Sequence, residues 1–395
     1  MTLRQDQSSG DILVLNAGSS SIKFALFDSA LGQKLSGAVT EIGGASRLQI
    51  GKDARSVALC DHHAALSAIL SALKERGTSL TDLRAAAHRV VHGGWKLTQP
   101  VHITPEILAE IASCTPLAPL HNPHNLAAIE ALATLAPELP QYASFDTSFH
   151  ATNPEVATRY AIPKALEARG IRRYGFHGLS YASLTQDLPR ISGQKLPARL
   201  LAFHLGNGAS ICAVKDGKSV ATTMGYSPLD GLTMGTRSGG IDANAVLRLV
   251  KDYGQEKTGA MLNNESGLLG LSGGISDMRQ LILDGSEDCR FAVDHFCYWA
   301  VRHAGSLIAA LQGLDAIAFT GGIGENAAAV RANILQSLGW IGVETDLGAN
   351  ERGEHQLHTD TSAVQIWVVP AREEHMIARN ALRLMEFTPG SKSEP

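Results

Sequence analysis

Two stretches of the chain share one order of apolar and polar positions. Residues 11–28 read DILVLNAGSSSIKFALFD: an apolar run at 12–15 meets small residues at 16–20, then apolar side chains alternate at Ile22, Phe24 and Leu26. Period-two alternation beyond a tight small-residue turn predicts strand, turn, strand. Residues 200–216, LLAFHLGNGASICAVKD, repeat it with an apolar run at 200–203, a turn at 204–208 and alternating Ile211, Ala213 and Lys215. Ser21-Ile22-Lys23 and Ser210-Ile211-Cys212 hold matching places. The echo is open to two readings. One is a duplicated domain, each copy opening with a phosphate-sized turn; the other is two hairpins with a common turn chemistry.

The rest of the pattern alternates between periods. Helices are predicted over 64–76, 105–114, 125–135, 241–253, 289–312 and 373–387, and strands over 85–91, 141–145, 316–320 and 364–369. Asn122-Pro123 reads as a helix start signal, and a further helix should follow Gly321-Gly322-Ile323-Gly324. Strands alternating with helices imply an α/β fold. We place a domain boundary near Asn153, giving domains over 1–152 and 153–374, with the closing helix, 375–395, completing the first. The polar start, 1–10, reads as a loose tail and 388–395 as a disordered one.

Length and composition narrow the classes. At 395 residues two domains are the default. The formal charge of −4 gives no reason to expect nucleic acid or an anionic membrane as partner. The start of the chain lacks the apolar core of a signal peptide, and no run of about 18 uncharged apolar residues appears, so a cytoplasmic protein without a membrane span is expected. There the Asn264-Glu265-Ser266 sequon would stay idle. The 5 cysteines form no C-x-x-C, which points to buried, reduced thiols rather than disulfides or zinc.

Several segments could carry chemistry. Asn16-Ala17-Gly18-Ser19-Ser20-Ser21, with Lys23 beyond, offers close backbone N–H groups, hydroxyls and a cation to a phosphate. Gly206-Asn207-Gly208 carries the same argument, and a nucleotide could sit against the helix start at Gly321-Gly322-Ile323-Gly324-Glu325-Asn326. Gly217-Lys218-Ser219 imitates the end of a Walker A loop, but the earlier glycine would fall at Cys212 within a strand. Asp216-Gly217 reads as a two-residue hairpin turn. Arg89 and Arg237 stand in glycine-bordered segments, HRVVHGG and MGTRSGG, where guanidinium forks suit carboxylates and phosphoryl oxygens.

His121, His124, His150, His177 and His204 sit beside turns without zinc-like spacing, and most read as structural; His177 is the candidate active-site donor. Asp146, at a strand end, could orient an arginine, join a metal shell or simply form a turn. Glu373 is either a metal anchor acting through water or a helix N-terminal glutamate favoured by the dipole.

Taken together, LNAGSSSIKF, HRVVHGG, LAPLHNPHNL, FDTSFH, RRYGFHG, HLGNGASICAVKDGKS, MGTRSG, FTGGIGEN and VVPAREEHMIAR resemble the acetokinase family, in the family's order and over nearly the whole chain. The resemblance implies two duplicated actin/ribonuclease-H-like α/β domains flanking an active-site cleft. It implies reversible phosphoryl transfer between ATP and acetate, giving acetyl phosphate and ADP, by a homodimer using Mg²⁺, or Mn²⁺ in its place. By matching position, Asn16 and Glu373 would hold the metal. Ser19, Ser21 and Lys23 would lie near the phosphates. His204, Leu205, Gly206, Asn207 and Gly208, with Asp277, Met278, Arg279, Gly322, Ile323, Gly324, Glu325 and Asn326, would bind ATP. Arg89, Arg237, His177 and Asp146 would carry the chemistry, and Val91, Leu120, Phe176 and Pro228 would wall the methyl end of acetate.

The chain departs from the family at Gly240, where aspartate is usual, at Ala243-Asn244, at Gly178-Leu179-Ser180-Tyr181, where threonine and histidine are usual, and at Ala371-Arg372. Gly240 could loosen the loop that carries Arg237. Two other readings remain: a propionate-preferring kinase of the same family, since one methylene is worth only about 1–3 kcal/mol in a pocket, and a chaperone-like ATP-binding protein.

Overall fold

The computed structural model describes residues 10–387; both tails expected to be loose lie largely outside the described residues. The chain forms two compact units, one of residues up to 148 together with those from 372 onward, the other of residues 149–371.

The first unit holds β1 (Asp11–Ala17), β2 (Ile22–Phe27), β3 (Gln33–Thr40), β4 (Arg47–Ile50), β5 (Asp53–Ser56), β6 (Leu83–Val90), β7 (Val101–His102) and β8 (Gln141–Phe145), in the order β5-β4-β3-β2-β1-β6-β8-β7. The second holds β9 (Arg199–Leu205), β10 (Ala209–Lys215), β11 (Lys218–Thr222), β12 (Ala316–Thr320) and β13 (Gln365–Val368), ordered β11-β10-β9-β12-β13. Each sheet contains the same unit: three antiparallel strands in succession, then two strands parallel to the first. β3-β2-β1-β6-β8 and β11-β10-β9-β12-β13 correspond strand for strand, so the echo between 11–28 and 200–216 is a duplicated topology.

In both units the first strand is central, which explains its unbroken apolar run: a strand covered on both faces has no side for water. Leu13, Leu15, Ile22 and Phe24 pack with Leu66, Ile69 and Leu73 of helix His62–Glu75 and Leu132 of helix Asn122–Leu135. Helix Glu373–Phe387 contacts β1, β6 and β8, and Asn380 Nδ2 donates to Ser144 Oγ at 3.1 Å. In the second unit Tyr181, Leu184 and Leu188 of helix Gly178–Ser192 pack on Leu200, Ala202, Cys212, Val214 and Ala318.

Several expectations change. The stretch Gly321–Asn326 is itself a helix, not a turn ahead of one, and a separate helix, Ala328–Gln336, follows. The helix expected from 241 starts at Ala243, because the Asp242 carboxylate accepts the Asn244 and Ala245 N–H groups and so fixes the N-terminus. Helix Asn122–Leu135 starts three residues early, with Pro123 in its first turn where a missing N–H costs nothing. Four cysteines are buried, but Cys60 is exposed, against the expectation of buried thiols throughout. Asp216 and Gly217 have φ of 50° and 77° between the paired Lys215 and Lys218, a two-residue hairpin turn and no phosphate loop.

Candidate active site

The first unit assembles its polar residues at one sheet edge. β1, β6 and β8 run parallel, so their C-terminal ends emerge together, where open α/β sheets bind ligands. Leu15 pairs with His88, which puts Asn16 beside Arg89; Arg89 pairs with Ser144, and the Asp146 N–H donates to the Val90 carbonyl at 3.1 Å. Arg89 Nε reaches Asp146 Oδ1 at 3.0 Å and Nη2 reaches Oδ2 at 2.5 Å, while Nη1 donates to Asn16 Oδ1 at 3.1 Å. Asp146 is 2% exposed and its partner's side chain 22%, so the pair is shielded on the carboxylate side and open on the other. A bidentate pair of this kind fixes the guanidinium plane.

Glu373, half-buried, opens the last helix of this unit. Loss of water there pushes its carboxyl up to about 7; Arg89 pulls it down, while Asp146 and Glu374 add to the rise. Lys23 faces water on β2, directly across the ladder from Asn16. Among the described residues no group of three or more His, Cys, Asp or Glu side chains could hold a metal. The Asn16 amide oxygen and the Glu373 carboxylate are nevertheless hard donors. A desolvated carboxylate that resists ionisation gains from a divalent cation completed by water and phosphate, and in that sense these residues fit one.

The turn after β1 is braced by groups that sequence reasoning missed. The Gly18 N–H donates to Ser21 O at 2.7 Å, and His62 Nε2 donates to Gly18 O at 2.7 Å, leaving Ser19 exposed at the tip. Buried Asn125 donates to Ala17 O at 2.7 Å and accepts the Val91 N–H at 3.0 Å, tying the end of β1 to the segment after β6. Asn122 closes both backbone groups of His92. Their signal was present in HNPHN: two asparagines three apart lie on one helix face. Val91 is 6% exposed and Leu120 53%.

The second unit gathers His177, Asn207, Gly208 and Arg237. The Gly235 N–H donates to Asn207 O at 2.9 Å, and a Cβ on Gly235 would lie 2.0 Å from Asn207 Oδ1, so only glycine lets this loop meet the 205–208 turn. The Arg237 loop is further tied by Ser238 N–H to Leu262 O and Gly240 N–H to Gly231 O, both at 3.0 Å. Gly240, despite its departure from the family, therefore does not leave the loop unanchored. A Cβ on Gly208 would stand 3.2 Å from His177 Nε2 and 3.6 Å from Arg237 Nη1, which places both groups over that backbone.

His177 takes a left-handed conformation, φ 58° and ψ 21°, as helix Gly178–Ser192 begins. Its ring stacks on His204 at 4.1 Å between centroids, and His204 Nδ1 lies 2.8 Å from Ser180 Oγ. His150, one of the histidines of which most read as structural, donates through Nε2 to the Phe176 carbonyl at 2.9 Å. Phe176 is 1% exposed, and the Pro228 carbonyl accepts Arg237 Nη1 at 3.3 Å. Helix Gly321–Asn326 leaves β12 beside the turn: the space above Gly206 ends at the Gly322 N–H, 4.0 Å from a built Cβ. Glu325 accepts the Gly321 and Ala371 N–H groups, each at 3.0 Å, and Asn326 Nδ2 donates to Gly322 O. Asp277 caps the helix Met278–Asp284 by accepting the Arg279 and Gln280 N–H groups; Met278 is buried and Arg279 exposed.

Residues 11–379 match the Acetokinase family. The chain is 42% identical over 398 residues to the acetate kinase of Rhodopseudomonas palustris, covering 95% of this chain and 98% of that one. Its fold superposes on the crystal structure of Porphyromonas gingivalis acetate kinase with a TM-score of 0.88 at 36% identity, covering 95% of this chain and all of that one. It also superposes on a propionate kinase from Francisella tularensis with a TM-score of 0.89 at 37% identity, covering 94% and 98%. With its duplicated sheets and its arginine-bearing strand end, the chain belongs to the acetokinase family.

Proposed function

We propose that the protein transfers a phosphoryl group reversibly between ATP and acetate, forming acetyl phosphate and ADP. One observation carries the reading within this chain: Arg89 is locked by Asp146 and Asn16 with its outer face open, as a receptor for a carboxylate needs.

Acetate is ionised near pH 7 and needs no general base. Its oxygen attacks the γ-phosphorus, the bond to the ADP oxygen breaks, and ADP departs with the electron pair. No proton need move. We assign Arg89 to the acetate carboxylate, Arg237 and the His177 Nε2 proton to the equatorial phosphoryl oxygens, and Asp146 to holding Arg89. Catalysis is then alignment plus neutralisation of spread charge. Asn16 and Glu373 would hold Mg²⁺, with Lys23, Ser19 and Ser21 toward the phosphates; when bound, the ion offsets phosphate charge. The 204–208 turn, 277–279 and 322–326 would receive the nucleotide.

Acetate-dependent ADP formation, with hydroxylamine trapping of the acyl phosphate, tests the reading. A chaperone-like ATPase would release ADP without acetate. We propose acetate over propionate because Val91, with Leu120, Phe176 and Pro228, would fill the space beyond the methyl. Val91→Ala should raise kcat/KM for propionate relative to acetate by about 10-fold or more; an unchanged ratio would remove Val91 from the pocket.

We also propose a cytoplasmic location; no helix among the described residues is long and apolar enough to cross a membrane. We also propose a homodimer. Helix Ala243–Tyr253 is strongly amphipathic yet buries none of its residues within this chain, leaving Leu247 65% exposed. Phe291 and Tyr298 of helix Glu287–Leu311 stand 57% and 59% exposed, and a hollow of about 610 Å³ lies between Ile241 and Trp299. A second copy is the occupant such a face suits.

A further inference from the structure

We infer that the Tyr181 hydroxyl, acting through Ser210, holds the His177 ring in the tautomer whose proton sits on Nε2. The inference deepens the proposed function, since it rests on His177 donating to the phosphoryl group.

The local fold brings the three side chains into line. Tyr181 lies one helical turn after His177, and its N–H donates to the His177 carbonyl at 3.1 Å, so both side chains share a helix face. Ser210 comes from β10, where it pairs with His204 of β9, the residue on which His177 stacks. The Tyr181 hydroxyl lies 2.5 Å from Ser210 Oγ, and Ser210 Oγ lies 2.9 Å from His177 Nδ1. Tyr181 and Ser210 are both 0% exposed, so neither hydroxyl can turn to water.

The direction of the chain follows from counting protons. The buried phenol stays protonated, because burial drives its ionisation far up, and its oxygen already faces the His204 backbone N–H. Among the described residues Ser210 Oγ is the one acceptor within reach of the phenol proton. Tyr181 therefore donates to Ser210. Ser210 Oγ could accept from both neighbours only by stranding its own proton in the same dry site, so it donates that proton to His177 Nδ1. A nitrogen that accepts carries no proton, so the neutral ring has it on Nε2, the nitrogen that lies over Gly208 near Arg237 Nη1. The reverse chain would start from Nδ1–H and leave the phenol proton without a partner in a dry site, an arrangement that costs about 1–3 kcal/mol. Tyr181 is thus a positioning residue. It touches neither substrate nor phosphate, and it selects which His177 nitrogen can donate.

Two-bond ¹H–¹⁵N spectra of the full-length protein labelled at histidine nitrogen test this directly. They are taken at pH 8, above the ordinary imidazole pKa of about 6.5, with the His177 signals identified by their loss in His177→Asn. Wild type should show one tautomer, proton on Nε2. Tyr181→Phe, which keeps the buried ring, and Ser210→Ala should each show the two tautomers exchanging, while Ser210→Thr, which keeps the hydroxyl, should retain the wild-type pattern. In the acetate assay Tyr181→Phe should lower kcat by up to about 10-fold with both KM values within about 2-fold. That is less than the ~10²–10³ expected on removing the donor itself in His177→Ala. A wild-type proton on Nδ1, or identical spectra in wild type, Tyr181→Phe and Ser210→Ala, would overturn the inference even in an active kinase. The expected tautomer in a protein without acetate-dependent turnover would sustain the inference and sink the functional reading.

Discussion

At the scale of single residues the Arg89–Asp146 pair joins stability to chemistry. Asp146 is nearly without solvent, so deleting its partner leaves a buried charge uncompensated, a loss of about 3–5 kcal/mol in comparable sites. We expect Arg89→Ala to lower both turnover, by orders of magnitude, and the denaturant midpoint. The double variant Arg89→Ala/Asp146→Ala should recover part of the lost stability and none of the activity. Chemical denaturation of wild type, Arg89→Ala, Asp146→Ala and the double variant checks this: strictly additive losses would mean that the two side chains are not energetically linked. Arg237→Ala should lower turnover comparably while leaving Asp146 paired. Both arginines were legible in the sequence because nearby glycines, at 93 and 94 after Arg89 and on either side of Arg237, signalled close backbone packing around a charged group. The backbone partners of Asn125 and His150 were not, although HNPHN marks the asparagine and His150 stands among the histidines of which most read as structural. An asparagine that bridges two strand ends and a histidine that holds one carbonyl act through backbone groups far away in sequence, and no local pattern records the partner.

At the scale of elements, the helix Gly321–Asn326 is too short to support itself: its cap closes the Ile323 carbonyl through the Ala327 N–H and leaves the Gly324 and Glu325 carbonyls to partners outside the helix. Arg331, 1% exposed, supplies part of what is missing: Nη1 donates to the Gly324 and Glu325 carbonyls at 2.9 and 2.8 Å, and Nε and Nη2 bind Asn350 at 2.8 and 2.9 Å. Its charge, held without a carboxylate in those contacts and lowered in pKa by burial, sits at the helix end that favours a cation. Arg331→Met should therefore lower the melting temperature and raise the KM for ATP by about 10-fold, with the KM for acetate unchanged. Equal changes in both Michaelis constants, in a protein that still melts cooperatively, would show a general loosening and not a nucleotide-side support. This helix was expected as a turn because three glycines within four residues, Gly321, Gly322 and Gly324, oppose a helix by propensity; tertiary bonds from Arg331 and Glu325 reverse that preference. Helix Gly178–Ser192 was invisible for a related reason. It starts from a left-handed histidine and carries Pro189 inside, so start and stop signals contradict one another. The strands β4 and β5 lie at the sheet margin, where β5 is wholly exposed and no apolar alternation is required.

At the scale of the whole molecule, duplication places the first strand of each unit at a sheet centre, and the same burial makes the protein sensitive to acid. β6 runs beside β1, and its His88 is 2% exposed, donating to Gln141 Oε1 at 2.7 Å; His92, just beyond, is 0% exposed. Loss of water lowers both pKa values from 6.5 to about 4. The sign then follows. Above pH 6.5 each ring is neutral whether the chain is folded or not, and the pair adds no pH dependence. Between 6.5 and about 4 the unfolded chain binds protons that the folded chain refuses, so unfolding gains ground as the pH drops. A shift of this size is on the order of 3 kcal/mol for each histidine once the pH is below both values. We expect the denaturant midpoint of the unit carrying β6 to fall steadily from pH 6.5 toward pH 4. His88→Gln, which keeps a donor for Gln141 but cannot titrate, should lower stability at neutral pH and make that descent shallower. A midpoint that is flat across this range, or a slope unaltered by His88→Gln, would mean that these rings are reached by protons before the unit opens, and that the centre of the sheet is less sealed than its packing requires.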